Sequence, residues 1–139
     1  MGRKILAVVG GVILGGVVVF VVEWISSKVY PLPPGLDLNN REAMKAYVAA
    51  LPIGALLFVL LAYVLGSLAG GWLAAKIARD SRLHLPLTVG GVLLFFGIIN
   101  LVTIPHPLWF AMVSILVFLP AAYLGGRLGA TAKIARVHA

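Results

Sequence analysis

The chain has 139 residues, of which 62% are hydrophobic and 11% charged, with a formal net charge of +7 and no cysteine. An ordinary soluble domain is roughly 45 to 50% apolar and about 25% charged, and a water-soluble fold of this length has too little interior to hide the excess apolar surface. The composition therefore argues against a soluble domain, and the lack of cysteine excludes a disulfide, a thiol nucleophile and a thiolate metal site.

The charges leave uncharged runs at Ile5 to Val22, Ala46 to Ala75 and Leu83 to Gly126. A spanning helix needs about 20 apolar residues at about 1.5 Å rise each. The first run is one crossing, the second is one crossing preceded by a helical extension, and the third is long enough for two. The fold class expected is an all-α membrane protein, a single domain over residues 1–139 with four transmembrane helices.

Helix 1 is expected from about Ile5 to Val29, ending at Tyr30-Pro31-Leu32-Pro33-Pro34-Gly35, where prolines and glycine cannot continue it. Arg3 and Lys4 ahead of an apolar stretch resemble a signal peptide, but the stretch is long and no small-x-small cleavage site precedes Glu23-Trp24, so the helix is expected to stay. Trp24 and Tyr30 belong at headgroup depth. Asn39 and Glu42 form a capping pair for a short outer surface helix whose apolar face is Met44, Tyr47, Val48 and Leu51.

Pro52 marks the bend into the second span, which runs to about Ile77 and is expected to turn Leu60 toward lipid. Helix 3 is expected from Pro86 to just before Pro105, because proline is tolerated in a first turn and the pair Pro105 and Pro107 forces extended geometry. Helix 4 begins at Leu108-Trp109-Phe110 and reaches about Leu128, with His106 and Trp109 at the interface and Arg136 to Ala139 a frayed tail.

Charge placement sets the expected topology. Arg3, Lys4, Lys76, Arg79, Arg82, Arg127, Lys133 and Arg136 fall on one side with only Asp80 against them, whereas Lys28, Arg41 and Lys45 meet Glu23, Asp37 and Glu42 on the other. The excess of Lys and Arg places both termini and the middle loop in the cytoplasm. Topology accounts for the net charge, so no nucleic-acid partner is implied, and the expected partners are membrane lipid and a second copy or another membrane protein.

The two halves echo each other. Val9-Gly10-Gly11-Val12 matches Val89-Gly90-Gly91-Val92, Pro31-Leu32-Pro33 matches Pro105-His106-Pro107, and Lys76-Ile77-Ala78-Arg79 matches Lys133-Ile134-Ala135-Arg136. These predict two tandem two-helix repeats, about 5–79 and about 86–136, related by a pseudo-twofold axis along the membrane normal.

Small residues four apart at Gly11 and Gly15, at Gly66, Gly70, Ala74 and Ala78, and at Ala121, Gly125 and Gly129 allow close helix approach, within one chain or at a dimer face. His84, His106 and His138 are too dispersed to share a metal, and no cofactor is implied. No serine, histidine and acid converge and no two carboxylates share a depth, so enzyme activity is not expected.

Glu23 is the acidic residue within a spanning helix, about 28 Å along from Lys4 and so close to the outer interface. It is either simply hydrated there or, with Asn100, Thr103, Ser114 and Tyr63, part of an outward-opening polar pocket; the bland alternative for the polar set is interhelical hydrogen bonding.

The stretches Glu23, Tyr30-Pro31, Leu51-Pro52-Ile53-Gly54-Ala55, Gly70-Gly71, Asn100 and Ile104-Pro105-His106-Pro107-Leu108-Trp109-Phe110 resemble those of small bacterial four-helix membrane proteins without a known activity. That resemblance covers most of the chain and implies a bacterial inner membrane. A second likeness is to small multidrug exporters, also four-helix proteins with a glutamate in helix 1, although Glu23 lies near the helix end and the charge bias departs from dual insertion. The function expected is structural or accessory, docking a partner or lipid; the alternative is a proton-coupled carrier or channel for a small solute.

Overall fold

The computed structural model describes residues 1–79 and 82–137, with side chains as far as residue 130. Asp80, His138 and the side chains of Lys133 and Arg136 lie outside the described residues, and with them part of the charge and repeat argument. Five helices follow in order: α1 Gly2–Val29, α2 Arg41–Ala50, α3 Ile53–Ala78, α4 His84–Thr103 and α5 Leu108–Val137. Four helical segments, Gly2–Val29, Ile53–Ala78, His84–Thr103 and Leu108–Ala130, are long and apolar enough to cross a bilayer.

Local chemistry explains the boundaries and corrects three of them. The α2 cap is Asn40 rather than Asn39: its Oδ1 accepts from the backbone N–H groups of Glu42 and Ala43 at 3.0 and 3.2 Å. Asn39 is already committed, its N–H donating to Asp37 Oδ1 at 3.0 Å in an Asx turn. Helix α4 starts at His84, two residues before Pro86, which occupies the first turn where a missing N–H costs nothing. Helix α5 runs past Leu128 to Val137, since no proline or glycine pair stops the alanine-rich stretch after Gly129.

The ends of α3 and α4 are closed by guanidinium groups from elsewhere in the chain. Arg3 Nε donates to the Ile77 carbonyl at 2.9 Å, beside the left-handed Arg79 that terminates α3, and Arg41 donates to the Val102 carbonyl at 3.3 Å near the end of α4. Each cation meets an unpaired carbonyl at the negative end of a helix dipole.

Helix α3 is central. It packs against α1, α4 and α5, whereas α1 and α5 each touch only α3 and α4 among the helices. Leu60 is on the packed side of α3, buried at 8% exposure and not turned to lipid, whereas Leu57 and Leu61 of the same helix are exposed. Exposed apolar residues occur on all four long helices, among them Ile13 and Phe20 of α1, Leu57 of α3, Phe95 of α4 and Leu116 of α5.

The glycine stripes sit at helix crossings. A Cβ at Gly11 would lie 2.7 Å from the Gly70 carbonyl oxygen, and one at Gly15 would lie 2.8 Å from that of Gly66. On the other side of α3, Gly71 abuts the Ala122 carbonyl, Gly125 abuts the Leu68 carbonyl, and Gly129 lies against Trp72, whose oxygen a Cβ would approach to 2.6 Å. Such contacts need glycine because a side chain has no space between two backbones. Gly16 and Gly91 differ, since a Cβ at either meets nothing within 4 Å.

Candidate functional site

Beyond Gly15 toward the α2 end, α1 and α4 border a cavity of about 300 Å³. Val12, Gly16, Val19 and Glu23 of α1 line it with Leu93, Phe96, Gly97 and Asn100 of α4, and Tyr63 and Phe118 contribute from α3 and α5. Nearly all of this wall is apolar. Its polar groups are Glu23, Tyr63 and Asn100.

Tyr63 is buried and its ring lies against Phe118, with centroids 4.8 Å apart and planes inclined by 32°. Asn100 Nδ2 donates to the Tyr63 hydroxyl at 2.8 Å. The phenol therefore keeps its own proton to donate, and Asn100 keeps its amide oxygen as an acceptor. A carboxylate, an amide and a phenol thus meet on one cavity, supplied by three different helices.

Two residues expected with them are elsewhere. Thr103 is exposed and its hydroxyl donates to the Ile99 carbonyl at 2.7 Å, the back-bond that a helical threonine readily makes. Ser114 is fully buried with no hydrogen-bond partner and does not line the cavity; Phe118, one turn away, is what α5 presents there. Ser67, which the sequence did not single out, is likewise buried and unpartnered.

Glu23 also faces a second recess. A cleft of about 220 Å³ lies under α2, lined by Glu23, Ser26, Ser27, Tyr30 and Leu32 together with Tyr47, Leu51, Ala55 and Val59. Tyr30 closes part of it: its hydroxyl abuts Gly54 and its ring meets Phe58 edge-on at 6.1 Å. Ser27 is internally satisfied by donating to the Trp24 carbonyl at 2.6 Å. The sequence did not single out Ser26, although Glu23, Ser26 and Ser27 at i, i+3 and i+4 share one helix face.

The remaining aromatic residues expected at the interface form two separate groups. Trp24 and Trp109 are exposed, and Lys28 stands 5.4 Å from the Trp24 ring. His106 stacks on Phe110 at 4.8 Å with Nδ1 2.7 Å from the Ile104 carbonyl. Burial pushes this imidazole below its ordinary value, opposed in part by that hydrogen bond. Among the described residues no three metal-ligating side chains converge.

The Asn100 to Tyr63 bond is open to a direct test. Asn100→Leu should leave the phenol without its donor and lower stability by about 1 kcal/mol or less, as for other interhelical bonds in membranes. A thermal melt in detergent, paired with Tyr63→Phe in a double-mutant cycle, reads the coupling; strict additivity would mean the bond contributes nothing.

Fold and cavity together define a helical bundle with four helices able to span a bilayer and one recess whose polar wall is Glu23, Tyr63 and Asn100. No family model, curated protein or solved structure matches the chain.

Proposed function

We propose that this is a multi-pass protein of a bacterial inner membrane, both termini cytoplasmic, which binds a small solute in the cavity between α1 and α4 and exchanges it against a proton on Glu23. The observation that carries the proposal is the convergence of Glu23, Tyr63 and Asn100 on one cavity. A carboxylate needed only for interfacial hydration has no reason to share a recess with a phenol and an amide from two other helices.

Chemistry narrows the solute. The Glu23 carboxylate and the Asn100 amide oxygen are acceptors, so the complementary group is a donor such as an amine or hydroxyl. A proton and a cationic donor compete for the same carboxylate oxygens, which is the requirement for exchange. No catalytic step belongs to this reading. The decisive experiment is flux of a short primary amine in proteoliposomes with and without the Glu23 carboxylate.

A structural or accessory role is the second reading. It is favoured by α2, which is seated on the bundle by the buried Val48 and tied to α4 by Arg41, so that its outer face presents a surface for a partner, a lipid or a second copy. The tandem repeat is also part of the proposal. The reciprocal contacts of Gly71 with Ala122 and Gly125 with Leu68, across two helices running side by side, support it.

The proposed topology makes its own prediction. Because the chain lacks cysteine, single cysteines at Arg82, Asp37 and His106 report side directly. An impermeant thiol reagent applied outside should label the Asp37 and His106 positions and spare the Arg82 position. External labelling at Arg82 would reverse the assignment.

A further inference from the structure

We infer that the cavity between α1 and α4 and the cleft under α2 are two parts of one site, which holds an amphiphile with its apolar chain between α1 and α4 and its head group past Glu23. The inference rests on the reading of the cavity as a binding site and adds the class of ligand and its route of entry.

Glu23 is the single residue that lines both recesses. Along α1 and α4 the lining is apolar at Val12, Val19, Leu93 and Phe96 and turns polar at Glu23 and Asn100; past Glu23 it mixes Ser26 and Tyr47 with Leu51 and Val59. Along one axis the lining is therefore apolar toward the middle of the bundle and mixed from Glu23 toward α2. From Val12 to Ser26 that axis follows roughly 20 Å of helix. A compact solute would fill only the part around Glu23, whereas a chain with a polar head matches the whole length and its gradient.

The cavity is also open sideways. A Cβ on Gly16 meets nothing within 4 Å, and Phe96 on the facing helix is 56% exposed. Both residues belong to spanning helices, so the mouth between them faces acyl chains rather than water. A ligand arriving there comes from the bilayer, chain already in hydrocarbon, and it meets the carboxylate only with its head. The head is a hydrogen-bond donor, since the Glu23 carboxylate can only accept.

The test uses the full-length protein in lipid nanodiscs and two photoreactive probes. Both are medium-chain alkylamines, one with a diazirine near the end of the chain and the other with it beside the amine. Cross-linked positions are mapped by peptide mass spectrometry, and the corresponding alkanol tests whether a neutral donor head suffices.

The chain-end probe should mark residues 12–19 and 93–97, the head-end probe residues 26–30 and 47–51, and excess unlabelled alkylamine should displace both. Gly16→Phe, whose Cβ meets nothing within 4 Å and whose ring would enter the mouth of the cavity, should lower chain-end labelling by about tenfold while the melting temperature is kept. Chain-end labelling spread over exposed positions such as Ile13, Met112 and Leu116, insensitive to competitor, would overturn the inference. Should a short amine still bind in a Glu23-dependent way in that case, the amphiphile fails and the solute-binding reading stands; if neither binds, both fall.

Discussion

Leucine at Gly125 is expected to lower the melting temperature of the detergent-solubilised protein far more than leucine at Gly91. At Gly125 the new Cβ would coincide with the Leu68 carbonyl oxygen, with the carbonyl carbon at 2.8 Å and the Cα at 3.0 Å. These are backbone atoms of α3, so no rotamer relieves the clash and α3 and α5 must separate. Gly70→Leu meets the same obstacle against α1, where the Gly11 carbonyl oxygen is 2.6 Å away and Val89 is 2.9 Å away. Overpacking typically costs about 1 to 3 kcal/mol, and backbone obstruction belongs at the upper end of that range. Gly91 is the matched control, because a Cβ there has open space. Equal melting of the Gly125 and Gly91 variants would remove the packing role from the α5 stripe.

Glu23→Gln is expected to abolish pH-driven amine flux while leaving the fold intact. Glutamine keeps the shape of the side chain and removes both its charge and its titration, so the cavity and the cleft on either side retain their walls. A hydrogen bond to a charged group contributes about 1.5 to 3 kcal/mol, which corresponds to a loss of roughly ten- to a hundredfold in amine binding. Asn100→Leu should weaken binding less, since it removes a neutral acceptor. The measurement is amine uptake into proteoliposomes under an imposed pH gradient, with melting as the control for folding. Flux equal to that of empty liposomes in the unmodified protein, or undiminished flux in the Glu23→Gln variant, would leave the accessory role as the better account.

Much of the architecture was legible along the chain because a long uncharged apolar run is a strong, local signal. Such runs, the prolines at Pro31, Pro52 and Pro105, and the charges between them located the four helical segments apolar enough to span a bilayer within a few residues. Errors fell where a local competition decides. Asn39 and Asn40 both precede a plausible first turn, and only the prior engagement of Asn39 by Asp37 makes Asn40 the cap. The end of α5 departs from the expected frayed tail for a different reason: the alanine-rich stretch after Gly129 has no proline or glycine to stop it, and the helix continues through it to Val137.

The sequence by itself determined which segments are helical and apolar enough to span and which small residues allow close approach, because each of these depends on neighbours in the chain. Only the tertiary structure decided which faces meet. Leu60 is covered while Leu57 and Leu61 of the same helix are exposed, a fact of rotation and packing that no periodicity in these uniformly apolar helices encodes. The same holds for the polar set: Glu23, Tyr63 and Asn100 share a cavity while Thr103 bonds back to its own helix and Ser114 is enclosed elsewhere. Depth along a helix is readable from residue count. Rotation about its axis is set by the helices packed around it.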